Sequence, residues 1–342
     1  MKLNACSLFQ ASESGGALVL AMLVVALVST LAVRFSGQYV LAATRIENQL
    51  LVSRYHHYLE GAESLAAVVL SEDVLTGEVD HSGEFWASPL PPLAVAHGRL
   101  QMQLSDAQGK LNLNSLAAST QWINDSGAMP MIRFTALQRH FIRLLQTFED
   151  YPLSEYEAIQ ITEAVIDWLD GDQTPTGSGG AEAVYYGSGQ PAYEPPDGLF
   201  TSVSELALLR HVTPELYQRL LPYVVVLPQA TALNVNTMDA VLLRTFNDPA
   251  SLQPLEPMAV QALQQTRQQR PFLALADFFA HDLIAGFELF RLPEVGVSYS
   301  VGSSYFFLQS SISDEALTTS ARSLLFRHEH EVSIIQRRFG LL

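Results

Sequence analysis

The residues best placed to do chemistry are carboxylates. Asp170 and Asp172 flank Gly171, Glu182 follows a run of glycines, Asp197 closes the same stretch, and Asp167 lies one helical turn upstream. Alternate acids in a glycine-rich loop can bring several oxygens to one point, and calcium, a hard cation, takes roughly six to eight oxygen ligands. The spacing is not that of an EF-hand, because Asp-Gly-Asp-Gln-Thr-Pro departs from that loop after its second acid. The same residues would also serve as a solvated acidic loop. Paired carboxylates near Asp170 have the composition of a glycosidase pair, but no neighbouring sequence supplies a pocket that would raise a carboxyl pKa.

Other reactive types point to less. His56 and His57 are adjacent on a predicted helix, about 100° apart, so they do not chelate one ion together. His328 and His330 alternate on a predicted strand, on the face expected to meet solvent. Two L-N-x-N-[ST] segments, Leu111–Ser115 and Leu233–Thr237, resemble parts of helix-hairpin-helix DNA-binding modules, but the glycine hairpins and basic neighbours that such binding requires are missing. Helix capping and packing explain them, with the Ser or Thr of each copy expected to cap the next helix. No Walker A, G-x-S-x-G or H-E-x-x-H pattern occurs, and no cysteine nucleophile; Gly177-Ser178-Gly179 and Gly187-Ser188-Gly189 read as loop glycines.

The composition agrees with a folded body that is not disordered overall. The 342 residues are 48% hydrophobic and 16% charged, enough for a core in two or three domains. The net charge of −16 disfavours nucleic acid and anionic lipid and attracts cations. Cys6 is the only cysteine, upstream of an apolar segment, so the body has no disulfide and depends on its core or a metal.

The elements that must position the acidic loop follow from periodicity. Residues 17–33 carry no charge and would span roughly 26 Å as a helix, enough for a membrane. Apolar residues then recur at helical spacing from Tyr39 to Leu70, so a transmembrane and stem helix is expected over 16–75. Residues 76–98 read as a loop and 99–105 as a half-buried strand ending in a turn at 106–109. Helices are expected at 133–149, 154–169 (with Ser154 and Glu157 as a capping box), 202–209 (Ser202 and Glu205), 213–221, 237–246, 256–267 and 272–283. Residues 295–339 return to β-like alternation. The predicted fold class is α+β: 76–110 and 290–342 form a small domain of helix and antiparallel sheet. It is interrupted by an all-α domain of two SAM-like or helix-hairpin-helix-like units, 111–230 with the acidic loop 170–199, and 231–289.

At its N-terminus the chain resembles type IV prepilins. A short polar leader, 1–15, ends in Gly15-Gly16 directly before the apolar run, and Gly16-Ala17-Leu18-Val19 matches the x-Ala-Leu start of one pilin branch. Gly15, Gly16 and Ala17 are therefore the expected processing residues. Leu20 or Ala21, according to which glycine is cut after, occupies the fifth mature position, where ordinary pilins carry glutamate. Together with Tyr58-Leu59-Glu60-Gly61-Ala62-Glu63, Gly109-Lys110-Leu111-Asn112-Leu113-Asn114, Asp167-Trp168-Leu169-Asp170-Gly171-Asp172, Gly180-Ala181-Glu182, Tyr185-Tyr186, Ser204-Glu205-Leu206, Leu221-Pro222-Tyr223-Val224 and Leu233-Asn234-Val235-Asn236-Thr237, this start resembles the type II secretion minor pseudopilin K family (general secretion pathway protein K).

The resemblance implies a pilin-like helix and sheet with a large helical insertion, and a subunit held in the cell inner membrane with a periplasmic body. It further implies cleavage and methylation by a prepilin peptidase, and no enzymatic activity. The subunit would join minor pseudopilins of types I and J at the pseudopilus tip, where it would start filament assembly and support export across the outer membrane. It also implies calcium in the acidic loop, with Asp170, Asp172 and Glu182 as ligands and Asp197 a further one. No nucleic acid partner is expected. The alternatives are a type IV pilus or competence minor pilin and a signal-anchored periplasmic hydrolase.

Overall fold

The computed structural model describes residues 14–340, apart from 76, 97, 119–132, 288, 290–293 and 315–317. Residues 1–13 of the expected leader, Cys6 among them, lie outside the described residues. The chain forms two compact units, one ending at Tyr58 and the other beginning at Leu59.

Helix α1 runs from Ser14 to Val74 and supplies everything described in the first unit. It has no proline, and Gly37 and Gly61 pass within it without a break. Its N-terminal stretch is long and apolar enough to cross a membrane, with the side chains of Leu18, Leu20, Leu23 and Leu27 exposed. An exposed uncharged run of that length needs a lipid or protein surround.

The second unit is built on a five-stranded antiparallel sheet. Its strands are β1 (Leu93–Val95), β2 (Gly98–Asp106), β7 (Tyr305–Ser313), β8 (Thr318–His328) and β9 (Glu331–Phe339), in the spatial order β1-β2-β7-β8-β9. The period-two pattern decides its faces. Leu100, Met102, Leu104, Phe306, Leu308, Ile312, Ala321 and Leu325 are buried, while Gln101, Gln103, Ser105, Gln309 and Arg322 are exposed on the other face. The last turns of α1 join the buried face: Leu59, Ala62, Ala66 and Leu70 are buried, and Glu63 accepts from Ser323 Oγ at 2.5 Å and from Arg337 Nε at 2.7 Å.

Between β2 and β7 the chain leaves the sheet and builds a helical body. Its elements are β3 (Leu111–Asn112), a 3-10 helix (Leu113–Ala117), α2 (Ala136–Leu145), α3 (Glu155–Leu169), α4 (Ala183–Gly187) and a 3-10 helix (Val203–Leu208). They continue with α5 (Pro214–Leu220), β4 (Val224–Val225), β5 (Leu233–Asn234), α6 (Ala240–Leu243), α7 (Gln261–Gln269), α8 (Leu275–Phe279), α9 (Asp282–Ala285), α10 (Val295–Ser298) and β6 (Tyr299–Ser300). Trp168, Phe141, Phe246 and Phe278 are among the largest side chains in one continuous core. The expected capping boxes are present at Ser154/Glu157 and Ser202/Glu205, and a further one at Thr135/Gln138 starts α2. Three helices differ from expectation. Residues 203–208 are 3-10 rather than α, 240–243 is far shorter than 237–246, and 272–283 is split where His281 Nδ1 accepts from the Leu283 backbone and starts a new helix. Strand β1 was expected to be loop; it pairs with β2 through the tight turn at Val95 and Gly98.

The two L-N-x-N segments are used alike, but not as caps made by Ser or Thr. Leu111-Asn112 pairs in parallel with Val224-Val225, and Leu233-Asn234 with Tyr299-Ser300. In each copy the first asparagine's Oδ1 accepts from the backbone of the second, at 3.2 Å for Asn112 and 2.9 Å for Asn234. The second asparagine then clamps a distant phenylalanine backbone. Asn114 binds both N–H and C=O of Phe200, and Asn236 both of Phe272. Ser115 instead exchanges hydrogen bonds with Thr231, Thr237 donates to Asp106, and Asp239 caps α6. The correction is one of reach: buried amides satisfy backbone groups far away in sequence, which local spacing does not reveal.

Candidate metal centre

The acidic loop is held by the helix that precedes it. On α3, Glu163 and Asp167 are four residues apart and share a face, and both are buried. Glu163 accepts from the backbones of Ser178 at 3.1 Å and Gly179 at 2.7 Å, and it pairs with Arg133. Both Asp167 oxygens accept from the Thr176 backbone, at 3.0 and 3.1 Å. Arg210 holds the Gly180 carbonyl at 2.9 Å.

The glycines are part of this cradle. Gly177 has φ +61°, and a Cβ there would lie 2.0 Å from a Glu163 oxygen; at Gly180 it would lie 2.3 Å from Asp167 Oδ2. We expect Gly177→Ala to destabilise the protein by about 1–3 kcal/mol, since alanine must both adopt a left-handed backbone and displace the Glu163 carboxylate. Urea unfolding measures this, and a change below the error of the midpoint would remove the role given to Gly177.

Held in this way, the loop brings carboxylates together. Asp170 is the residue after the end of α3, and Glu182 precedes α4 with no capping hydrogen bond of its own. One oxygen each from Asp170, Asp172 and Glu182 lie within 4.8 Å of one another. Asp172 Oδ1 accepts from the Thr174 backbone at 2.7 Å, and Asp197 Oδ2 accepts from Gln173 Nε2 at 2.7 Å. Asp170 Oδ1, both Glu182 oxygens and Asp197 Oδ1 are buried with no hydrogen-bond partner. Burial, then repulsion from the neighbouring acids, pushes Asp170 up to about 6 and Glu182 up to about 7. Sequence alone offered no pocket that raises a carboxyl pKa; the structure corrects this. Buried carboxylate oxygens facing each other without donors are costly unless a cation sits among them.

The donor set fits a hard cation. It is all oxygen, which suits calcium and not zinc. Asp170, Asp172 and Glu182 are brought together as predicted. Asp197 is close enough to raise both Asp170 and Glu182 electrostatically but stands outside the triad. Sequence reasoning missed Glu163 and Arg210 and read Gly177 and Gly179 as ordinary loop glycines. The signal for Glu163 was its i, i+4 relation to Asp167.

A second acidic group contrasts with the first. Asp73, Asp80 and Glu84 have oxygens within the same range. There, however, Arg327 donates to Asp73 at 3.0 Å and to both oxygens of Asp80 at 2.6 Å, and Glu84 Oε2 accepts from Trp86 Nε1 and the His81 backbone at 2.8 Å. A guanidinium already occupies the place a cation would take.

The remaining site residues lie on α1. Gly16, Ala17, Leu20 and Ala21 are exposed within the helix, and Gly15 falls in its first turn.

Residues 109–229, which contain the acidic loop, match the family model described as type II secretion system (T2SS), protein K. Type II secretion system protein K of Pseudomonas aeruginosa is 33% identical over 314 residues, covering 88% of this chain and 85% of that protein. The Klebsiella pneumoniae protein of the same name is 31% identical over 340 residues, covering 96% and 97%. This chain belongs to the type II secretion system protein K family. The fold agrees with a family structure: the chain resembles one in the crystal structure of the GspK-GspI-GspJ complex from the enterotoxigenic Escherichia coli type 2 secretion system, with a TM-score of 0.72, 24% identity, and coverage of 87% of this chain and all of that one. As a member of the K family, the protein is a component of type II secretion, and among the described residues one apolar helix, near the N-terminus, is able to anchor it in a membrane.

Proposed function

We propose that the chain is a minor pseudopilin at the tip of the type II secretion pseudopilus, where it starts filament assembly and supports export through the outer membrane. The observation that carries this reading is the fifth mature position. Ordinary pilins place a glutamate there to pair with the N-terminal amine of the subunit ahead. A tip subunit has nothing ahead of it, so an unpaired charge in the apolar helix would only cost desolvation. Leu20 or Ala21 meets that requirement, and α1 presents both on an uncharged, exposed stretch. The relative solved with GspI and GspJ supports partners of those types for this chain.

On this reading α1 anchors the precursor in the inner membrane with its body in the periplasm. A prepilin peptidase removes the leader after Gly15 or Gly16 and methylates the new amine. Calcium binds at Asp170, Asp172 and Glu182 with Asp197 beside them; when bound, the ion supplies positive charge that pins the loop and does no catalysis. The role on this reading is structural, the ion holding together three carboxylates with oxygens that lie within 4.8 Å of one another.

Mass spectrometry of the mature protein tests this. An N-terminus at Gly16 or Ala17 carrying a methyl group is the expected result. An intact Met1, or cleavage beyond residue 33, removes the pilin reading.

A further inference from the structure

The outer face of the sheet and the helical body enclose an open cleft of about 380 Å³. Leu221, Val226 and Phe307, all half-buried, give it an apolar lining, and Lys110, Arg322 and Arg338 give it positive charge. Among the described residues no carboxylate lines it, in a chain whose net charge is −16. Elsewhere several arginines have firm partners: Arg139 pairs with Glu294, Arg327 with Asp80 and Arg337 with Glu63, while Arg143, Arg210, Arg244 and Arg267 donate to backbone carbonyls. Among the described residues, Lys110, Arg322 and Arg338 make no ion pair. Lys110 Nζ reaches only the Leu221 carbonyl, at 3.5 Å.

The arrangement is costly to the fold. Arg322 and Arg338 are directly opposed in the β8–β9 register, where like charges repel. Partial desolvation lowers the pKa of Lys110 and, although its side chain still reaches solvent, of Arg322; each is lowered further by the next cation, Arg322 for Lys110 and Arg338 for Arg322, while Asp239 offsets part of the shift at Lys110. Arg322 lies over Phe307 at 3.9 Å from the ring centroid, beside the apolar lining. Local conflicts that packing does not require mark places where a ligand supplies the missing term. Strand β9 ends the sheet, so an extended chain has room alongside Gln336 and Arg338.

We propose that this cleft binds an acidic peptide segment of a partner protein. Its carboxylates would be held by Lys110, Arg322 and Arg338, and an apolar side chain would rest on Phe307 with Leu221 and Val226 beside it. A lone inorganic anion would satisfy the cations but leave the apolar lining wet, which is why a peptide fits better.

The test uses the full-length protein in detergent and a rhodamine-labelled pentapeptide of alternating aspartate and leucine, read by fluorescence anisotropy. Saturable binding is expected. Arg322→Gln and Arg338→Gln should each weaken it by about tenfold or more, the loss expected for one charge-assisted contact. Both variants should melt at the wild-type temperature or above it, because the opposed charges are gone. The proposal is overturned by any of four results: no binding; equal binding of the peptide with asparagine in place of aspartate; displacement by inorganic phosphate at concentrations equal to the peptide's; or lower melting of both variants, which would make the two arginines structural.

Discussion

Chelation with EDTA should lower the melting temperature of the full-length protein by roughly 5–10 °C. A ligand held at about a hundred times its Kd contributes about 2.7 kcal/mol, and a body of this size shifts by roughly 2–4 °C for each kcal/mol. Asp172→Ala should abolish the difference between calcium and EDTA. Glu182→Gln should do the same, and in EDTA it should melt above the wild type, because it removes a buried carboxylate that has no partner. The pH dependence has a defined sign. Glu182 and Asp170 titrate in the folded, metal-free protein near 7 and 6, above their ordinary values of 4.5 and 3.8. Between those limits the folded state holds more protons than the unfolded one, so metal-free stability falls as pH rises from about 4 to about 7. Calcium replaces those protons, so the effect of EDTA should be small near pH 5 and full near pH 8. An unchanged melting temperature in EDTA at pH 8 would defeat the calcium reading while leaving the family assignment untouched.

Arg327→Met should cost about 3–5 kcal/mol, the usual penalty for removing one member of a buried ion pair. Methionine nearly fills the space, so the loss comes from charge. Asp80 is 1% exposed and would keep the Ser303 backbone, at 2.7 Å, on its carboxylate, while Asp73 and the Ser303 carbonyl each lose the Arg327 contact. Burial already raises the pKa of Asp80 with Arg327 in place, so without it the folded state will hold a proton more tightly. The deficit of the variant should therefore shrink as the pH is lowered toward the ordinary carboxylate pKa of 3.8. Pairing Arg327→Met with Asp80→Asn should recover part of the loss. A single-variant cost below about 1 kcal/mol, read from urea unfolding, would show that the hub around Arg327 is dispensable.

What could be read from the sequence was local. The 61-residue helix, the capping boxes at Ser154 and Ser202 and the alternation in β2 each depend on neighbours within a few positions. The triad of Asp170, Asp172 and Glu182 was legible because its members sit in one loop. The hub was not, because Asp73, Asp80, Asp106, Asn234, Ser303 and Arg327 come together from segments far apart in sequence, and only Asn234 lies in a motif. The purpose of Gly177 was equally hidden, since it is set by a carboxylate on the preceding helix. The Asn114 and Asn236 clamps lay between these cases. Their repetition was visible, but their partners Phe200 and Phe272 are long-range choices.

The pairing of β2 with β7 also sets an order of events. Residues 107–304 must be gathered in before Leu104 can meet Leu308, whereas β7, β8 and β9 pair with their neighbours in sequence. Closing so long a loop is slow, and contacts of such high sequence separation form late. A chain delivered N-terminus first would therefore have its membrane helix and the β1–β2 hairpin in place while the open edge of β2 waits for a partner. The Arg337 contact to Glu63, near the end of the sequence, then joins stem to sheet in one of the last steps. The fold thus has a built-in completion signal: a truncated or half-delivered chain keeps its anchor but offers no finished sheet, and so is not yet a competent building block.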